Sequence, residues 1–499
     1  MSRHIKISKG ADIKLQGVAK RVVETAPLSD TYALKPTDFH GVTPKLVVRQ
    51  GDKVKAGTTI FFDKYKEDVK YASPVSGEIV EIVRGARRKV LEIVIKPDAE
   101  ITFEDFGSAD PNALSGEEVK AKMLNGGVWP FVKQRPYDVV ADPARAPKAI
   151  HVTAFDSAPL SPDFDFILAG KEEAFQAGLD ALQKLTTGAV HLNMPESKEV
   201  RFDANELIEF TDAEGKATSI DYTTAAKMPA YQPASEALKA EEARRLKPSA
   251  MFTDAKNVEK NFFEGKHPAG NVGIQIHHID PVNKGERVWT LNAQGVVAIG
   301  ELFLTGKYNA KKIVALAGSE VKDAKHFELY SGAQLKSITN DNIVEGDNRF
   351  ISGNVLTGTQ VEEAGFVGFY DNLVSVIPEG KQMDFFGWAL PMQPEKLSFS
   401  KTLMSWLTPS KEYRLNTNSN GEARAFVVTG EYEKVFPMSI FPVYLLKSCL
   451  TEDIEKLEGL GIYEVAPEDM ALCEFACTSK VEVQRILREG LDLVQKECD

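Results

Sequence analysis

Between residues 44 and 97 apolar and polar positions alternate over short spans broken by glycine turns: PKLVVRQGDKVKAGTTIFF, then YASPVSGEIVEIVRGARRKVLEIVIKP. A period of two sends successive side chains to opposite faces of an extended chain, so this spacing predicts a small all-β unit. Beyond about residue 100 the period lengthens. AIHVTAFD (149–156) and GAVHLNM (188–194) read as buried strands, with the amphipathic helix pattern EEAFQAGLDALQKLT (172–186) between them. Strand–helix–strand order predicts a parallel sheet covered by helices. A helix over LNAQGVVAIGELFLTGKY (291–308) should stop near Gly306, and KKIVALAG (311–318) then reads as a strand. Residues 320–378 predict a third unit of short strands. Apolar residues at i, i+3, i+4 and i+7 in FPVYLLKSCLTEDIEKLEGL and EVQRILREGLDLVQKE predict a helical domain at the end.

Composition narrows the partners. The chain has 499 residues, 43% hydrophobic and 26% charged, as in an ordinary multidomain globular protein. A net charge of -12 argues against nucleic acid, whose binding needs clustered cations. The apolar runs at 295–305 and 438–446 fall short of the roughly 20 residues that cross a bilayer. The N-terminus shows no signal-peptide pattern, so a cytoplasmic protein is expected. Cys449, Cys473, Cys477 and Cys498 are too few for a secreted disulfide framework, and reduced thiols are expected.

Three stretches carry candidate chemistry. LNGGVWPFVKQRPYD (124–138) has a glycine pair but not the G-x-G-x-x-G spacing of a dinucleotide loop. Its Trp129, Pro130, Phe131, Arg135, Pro136 and Tyr137 could wall a pocket for a flat apolar ring with carbonyl edges, such as a quinone; an amphipathic loop packed on the sheet is the alternative. Cys473 and Cys477 lack the third close cysteine that an iron–sulfur cluster needs, so buried helix cysteines are expected. HPAGNVGIQIHHIDPV (267–282) holds His267, His277 and His278 but no H-E-x-x-H, and adjacent histidines on a strand would face opposite ways. Turn-shaping is expected there, with ligand contact through Gly270 and Gly273 as the rival and no metal.

Resemblance to known families adds to this. V-x-x-G-D-x-V followed by S-P-V-S-G-x-I resembles the biotinyl/lipoyl barrel-sandwich domain, with Lys66 near the position of the arm lysine; FFDKYKEDVKY departs from the arm pattern, and no modification is expected. HPAGNVGIQIHHIDPV, KGADIKLQG, SPVSGEIVEIVRGA, VVAIGELFLTGKY, FISGNVLTG, VSVIPEGKQMDFFGW, LNTNSNGEARA, EYEKVFPMSI and ALCEFACTSK together resemble the A-subunit family of the bacterial sodium-translocating NADH:quinone oxidoreductase. The family's signature falls here on His267, Pro268, Gly270, Gly273 and His277, whereas Gln275 stands where the family has a further histidine.

That resemblance implies a multidomain α+β fold: an N-terminal segment with a biotinyl/lipoyl-like β barrel-sandwich (1–99), a Rossmann-like α/β domain (100–311), an SLBB β-grasp domain (312–385) and a C-terminal helical domain (386–499). It implies a peripheral subunit on the cytoplasmic face of the bacterial inner membrane, partnered by five other subunits, some membrane-embedded, in an enzyme that reduces quinone and exports Na⁺. The FMN loop and cluster cysteines of the wider family are absent, so no cofactor on this chain and no redox catalysis by it alone are expected. Quinone is the ligand the resemblance suggests, with Tyr32 in LSDTYALKP joining Trp129, Arg135 and Tyr137. A pure docking scaffold and an FMN-dependent NADH dehydrogenase are the rivals.

Overall fold

A computed structural model of the chain describes residues 2–196, 207–211, 217–221, 250–381, 396–399 and 403–498. The boundary expected at 385/386 and the end of VSVIPEGKQMDFFGW lie outside the described residues.

The alternation at 44–97 becomes two small sheets. Tyr32–Leu34, Val90–Pro97, Gly77–Arg84 and Lys53–Val54 form one, and Pro44–Leu46, Thr59–Asp63 and Lys66–Ala72 the other. Ile60, Phe61, Tyr71, Val75, Ile79, Ile93 and Ile95 are buried in the core of this unit. Lys66 opens a strand in register with Asp63, so Lys64 and the exposed Tyr65 form the hairpin tip rather than Lys66.

Five parallel strands follow in the order Arg3–Ile7, Glu259–Gly265, Val190–Pro195, Ala149–Thr153 and Val288–Asn292, extended by the antiparallel Lys133–Arg135 and Val139–Val140. Helices Glu172–Gln183 and Ala293–Thr305 cover the face carrying Ile150, Val152, Leu192 and Leu291. The helix Val272–Ile279 covers the other, with Ile276 on Ala149 and Val288. Helix 293–305 ends at Gly306, φ 69°, as its sequence predicts.

A six-stranded mixed sheet runs Val23–Thr25, Lys325–Tyr330, Lys311–Ala317, Leu373–Pro378, Asn348–Ser352, Thr359–Val361. Helices Tyr432–Val435, Pro442–Leu450, Ile454–Gly459, Ala471–Ala476 and Val483–Cys498 share the second core, with Leu445, Leu446, Leu487 and Leu491 at its centre. The N-terminal segment does not stay with the barrel. Arg3–Ile7 edges the α/β sheet, Leu15 bridges to Tyr413, and Val23–Thr25 edges the six-stranded sheet.

The two covering helices touch backbone to backbone. A Cβ on Gly300 would lie 1.7 Å from the Ala174 carbonyl oxygen. Gly300→Ala should therefore force the helices apart and cost about 1–3 kcal/mol, read as a lowered urea midpoint at unchanged m.

Candidate functional site

A cleft of about 800 Å³, counting space open to solvent, lies between the α/β unit and the six-stranded sheet. Phe131, Phe369 and Tyr370 give it an aromatic wall, and Ile167, Leu168, Val297 and Ile313 aliphatic ones. Asn292, Gln294, Lys171 and Lys311 add polar groups to its lining, the two lysines paired with Glu301 and Glu328 of the same lining at 2.6 and 3.2 Å. Strand 288–292 runs into helix 293–305 there, and the Asn292 side chain caps the helix by accepting from the Gly295 N–H at 2.8 Å. The carboxyl end of a parallel strand opening into a helix is where open α/β sheets place ligands.

The aromatic wall is held firmly. Lys312, buried, donates to the carbonyls of Gly368, Phe369 and Asp371 at 2.8, 3.1 and 2.7 Å. Burial pulls its ammonium down to about 8, against the pull of Asp371 and Asp38. From the barrel side Asp38 accepts the Phe369 N–H at 2.8 Å, and Phe39 packs against Phe369 and Tyr370. Tyr370 donates to the Pro130 carbonyl at 2.6 Å, and Phe131 stacks obliquely on Phe369 at 4.7 Å.

None of Tyr32, Trp129, Arg135 and Tyr137 lines this cleft. Trp129 is fully buried, edge-on to Trp289 at 5.2 Å, and donates to the Ala141 carbonyl. The expected glycine turn serves packing as well: Gly127 has φ 74°, and a Cβ there would approach Ala72 of the barrel to 2.5 Å. Tyr32 is buried between barrel and six-stranded sheet, its oxygen accepting the Ser29 N–H and its ring edge-on to Tyr330. Arg135 and Tyr137 do come together, but at the junction with the helical domain. There the Arg135 guanidinium, with no exposed surface, donates to Asp469 at 3.0 Å and Glu468 at 2.7 Å. Tyr137 lies edge-on to Tyr463. Asp138, though buried, is held down to about 2 by Lys133, Arg135 and Arg488.

The histidine-rich stretch reaches the same junction. His277 and His278 end a helix rather than occupying a strand, so the opposite-faces expectation does not apply. His277 Nδ1 meets Glu464 at 2.6 Å and its Nε2 accepts the Ser439 N–H at 3.0 Å; His278 Nε2 meets the Pro437 carbonyl at 3.0 Å. Gly273 is required because a Cβ would sit 2.2 Å from Asp469 Oδ2. His267, preceding the cis Pro268, takes a hydrogen bond from Ser157, whose hydroxyl oxygen also accepts the Gly270 N–H. Gln275 accepts from Asn193 at 3.0 Å and donates to Thr153 at 3.0 Å within a buried polar layer. Beside it His151 and His191 stack at 4.6 Å. Among the described residues no group of three or more His, Cys, Asp or Glu is placed to hold a metal ion, and no helix is long and apolar enough to cross a membrane.

Comparison with known proteins matches residues 5–98 to the NqrA N-terminal barrel-sandwich hybrid domain, 114–230 and 238–308 to the NqrA second alpha/beta domain, and 313–363 to the NQRA C-terminal domain of the SLBB type. The chain is 35% identical, over 99% of its own length and 99% of the relative's, to the A subunit of the Na(+)-translocating NADH-quinone reductase of Marinomonas sp. (strain MWYL1). It is 34% identical to the corresponding proteins of Neisseria meningitidis serogroup A and of Photorhabdus laumondii, over 99% of this chain and 100% of each relative. This chain belongs to the A-subunit family of the Na(+)-translocating NADH-quinone reductases. The barrel-sandwich, α/β and SLBB units expected from the sequence are those of the family models.

Of the pocket-wall residues expected in the 124–138 stretch, Phe131 does line the cleft, whereas sequence reasoning missed the others that line it. Asn292 was legible, as a capping residue between VWTL and an apolar helix; Phe369 and Tyr370 sit in an irregular loop with no periodic signal.

Two expectations follow from the buried charges and rings. Removing Arg135 strands Asp469, so Arg135→Met should cost about 3–5 kcal/mol, with part recovered by adding Asp469→Asn in urea denaturation. Burial pulls His151 and His191 below the usual histidine value, His151 further through its neighbour His191, His191 against Glu259. Depressed folded values mean their stability is complete above about pH 6.5 and is lost as pH falls below it. A His151→Leu variant should show a shallower fall in melting temperature between about pH 7.5 and 5 than the parent.

Proposed function

We propose that the chain serves as the peripheral A subunit of a Na⁺-translocating NADH-quinone reductase, on the cytoplasmic face of the bacterial inner membrane, and offers a quinone-binding cleft while carrying no redox group itself. The cleft lined by Phe131, Phe369 and Tyr370 carries this reading. A quinone ring is flat with apolar faces and two carbonyl acceptors. Aromatic walls match the faces, and side-chain N–H donors of Asn292, Gln294 and Lys311 in the lining match the acceptors. Trp129 then acts from behind, fixing the segment that presents Phe131.

A flavin dehydrogenase is the weaker reading. The glycine pair that would approach a flavin phosphate is packed against Ala72 and Leu302 and does not line the cleft. A cluster needs several thiolates converging on one point, whereas among the described residues no group of three or more His, Cys, Asp or Glu is placed to hold a metal ion, and Cys477 Sγ accepts the Tyr432 hydroxyl at 3.0 Å. The helical domain then serves assembly, with membrane-embedded subunits as partners.

Titration of the full chain with a short-chain ubiquinone, followed by tryptophan fluorescence, should saturate. Ala298→Phe, which fills the cleft, should weaken binding about tenfold, ~1.4 kcal/mol, and Tyr137→Phe should not. Absence of saturable binding would leave a docking scaffold, and an absorbance band near that of flavin in the purified chain would favour the dehydrogenase. Co-purification of integral-membrane proteins from detergent-solubilised membranes checks the assembly itself.

A further inference from the structure

The hairpin joining Gly77–Arg84 to Val90–Pro97 turns through Ala86, Arg87, Arg88 and Lys89. Lys89 N–H donates to the Ala86 carbonyl at 3.1 Å, and Gly85 N–H to the Lys89 carbonyl at 2.8 Å. Both central residues have positive φ, 55° at Arg87 and 60° at Arg88. That is the type I′ pattern, for which Asn-Gly is favoured because a side chain strains the left-handed backbone. Two arginines there oppose the turn's own preference. Strain of this kind persists where something other than folding selects the side chain.

Arg84, Arg87, Arg88 and Lys89 are all exposed, so four cations share one tip. Arg84 donates to the Arg88 carbonyl at 3.3 Å, which braces the turn and leaves the charge uncompensated. Among the described residues no carboxylate forms an ion pair with any of the four. The chain as a whole carries -12, so this positive tip sits on a negative molecule. A bilayer with anionic lipids repels such a molecule overall and attracts it at the tip, which orients it.

We propose that this hairpin tip contacts the anionic phospholipid headgroups of the membrane; the proposal rests on the reading of the chain as a peripheral subunit. A protein partner fits less well. Protein interfaces are anchored by aromatic or apolar side chains in pockets, and no large apolar residue between 78 and 96 is strongly exposed. A headgroup layer asks only for cations within a screening length.

Vesicle flotation tests it with the full chain. At about 50 mM salt the protein should float with phosphatidylcholine vesicles containing about 30% phosphatidylglycerol and not with phosphatidylcholine alone, and about 0.5 M salt should abolish flotation. Combining Arg84→Gln, Arg87→Asn, Arg88→Gly and Lys89→Gln should lower the bound fraction at least about tenfold. The melting temperature should hold or rise, because Asn-Gly relieves the turn. Equal flotation of parent and variant overturns the proposal, as does a parent that ignores anionic vesicles. If that parent still binds isolated membrane subunits in detergent and the variant does not, the tip belongs to an acidic protein surface instead. Failure of flotation leaves membrane-protein co-purification and quinone titration untouched, so the two readings fail separately.

Discussion

A guanidinium sealed from water must have its charge answered on the spot, and Arg135 is answered by Asp469 and Glu468 from the helical domain. That requirement locks the α/β unit and the helical domain at one junction. Other contacts gather around it: Asn271 donates to the Glu468 carbonyl, Gly273 leaves room for Asp469, and His277 and His278 hold the segments at Glu464 and Pro437. The histidine-rich stretch 267–282 thus holds two units together in this chain. The imidazoles of His277 and His278 are spent on one carboxylate, one carbonyl and one backbone N–H, contacts that hold the junction together.

Beside this junction a second set of charged groups fixes the cleft. Lys312 and Asp38 grip the segment of Phe369 from two domains, so a swing of the aromatic wall would strand the buried Lys312 ammonium. A cleft with an aromatic wall and polar and charged groups around it suits a planar ligand that needs orientation. Arg135 ties the α/β unit to the helical domain, Asp38 ties the barrel to the Phe369 segment of the six-stranded sheet, and Tyr370 ties that segment to the α/β unit through the Pro130 carbonyl.

Much of the fold was legible because its signals are local. The strands at 149–153 and 190–195, the helices at 172–183 and 293–305, and the Gly306 stop all follow from periodicity and capping within a dozen residues. The N-terminal thread was not, since pairing of Arg3–Ile7 with Glu259–Gly265 depends on residues some 250 positions away and leaves no local trace. IQIHHI alternates briefly enough to pass for a strand or a helix turn, and its helical placement of His277 and His278 shows only in the fold. Arg135 and Tyr137 look the same in sequence whether they wall a pocket or fill a junction. Only the carboxylates at 468 and 469, far along the chain, decide it.

Whether quinone meets this chain in the cleft between the α/β unit and the SLBB sheet is tested most directly by photolabelling. The intact complex is labelled with an azido-quinone and its peptides are mapped. Label is expected on peptides carrying Phe131 or Phe369–Tyr370, competed away by unlabelled quinone. Label confined to the other subunits, with none on these peptides, would contradict the assignment of the cleft.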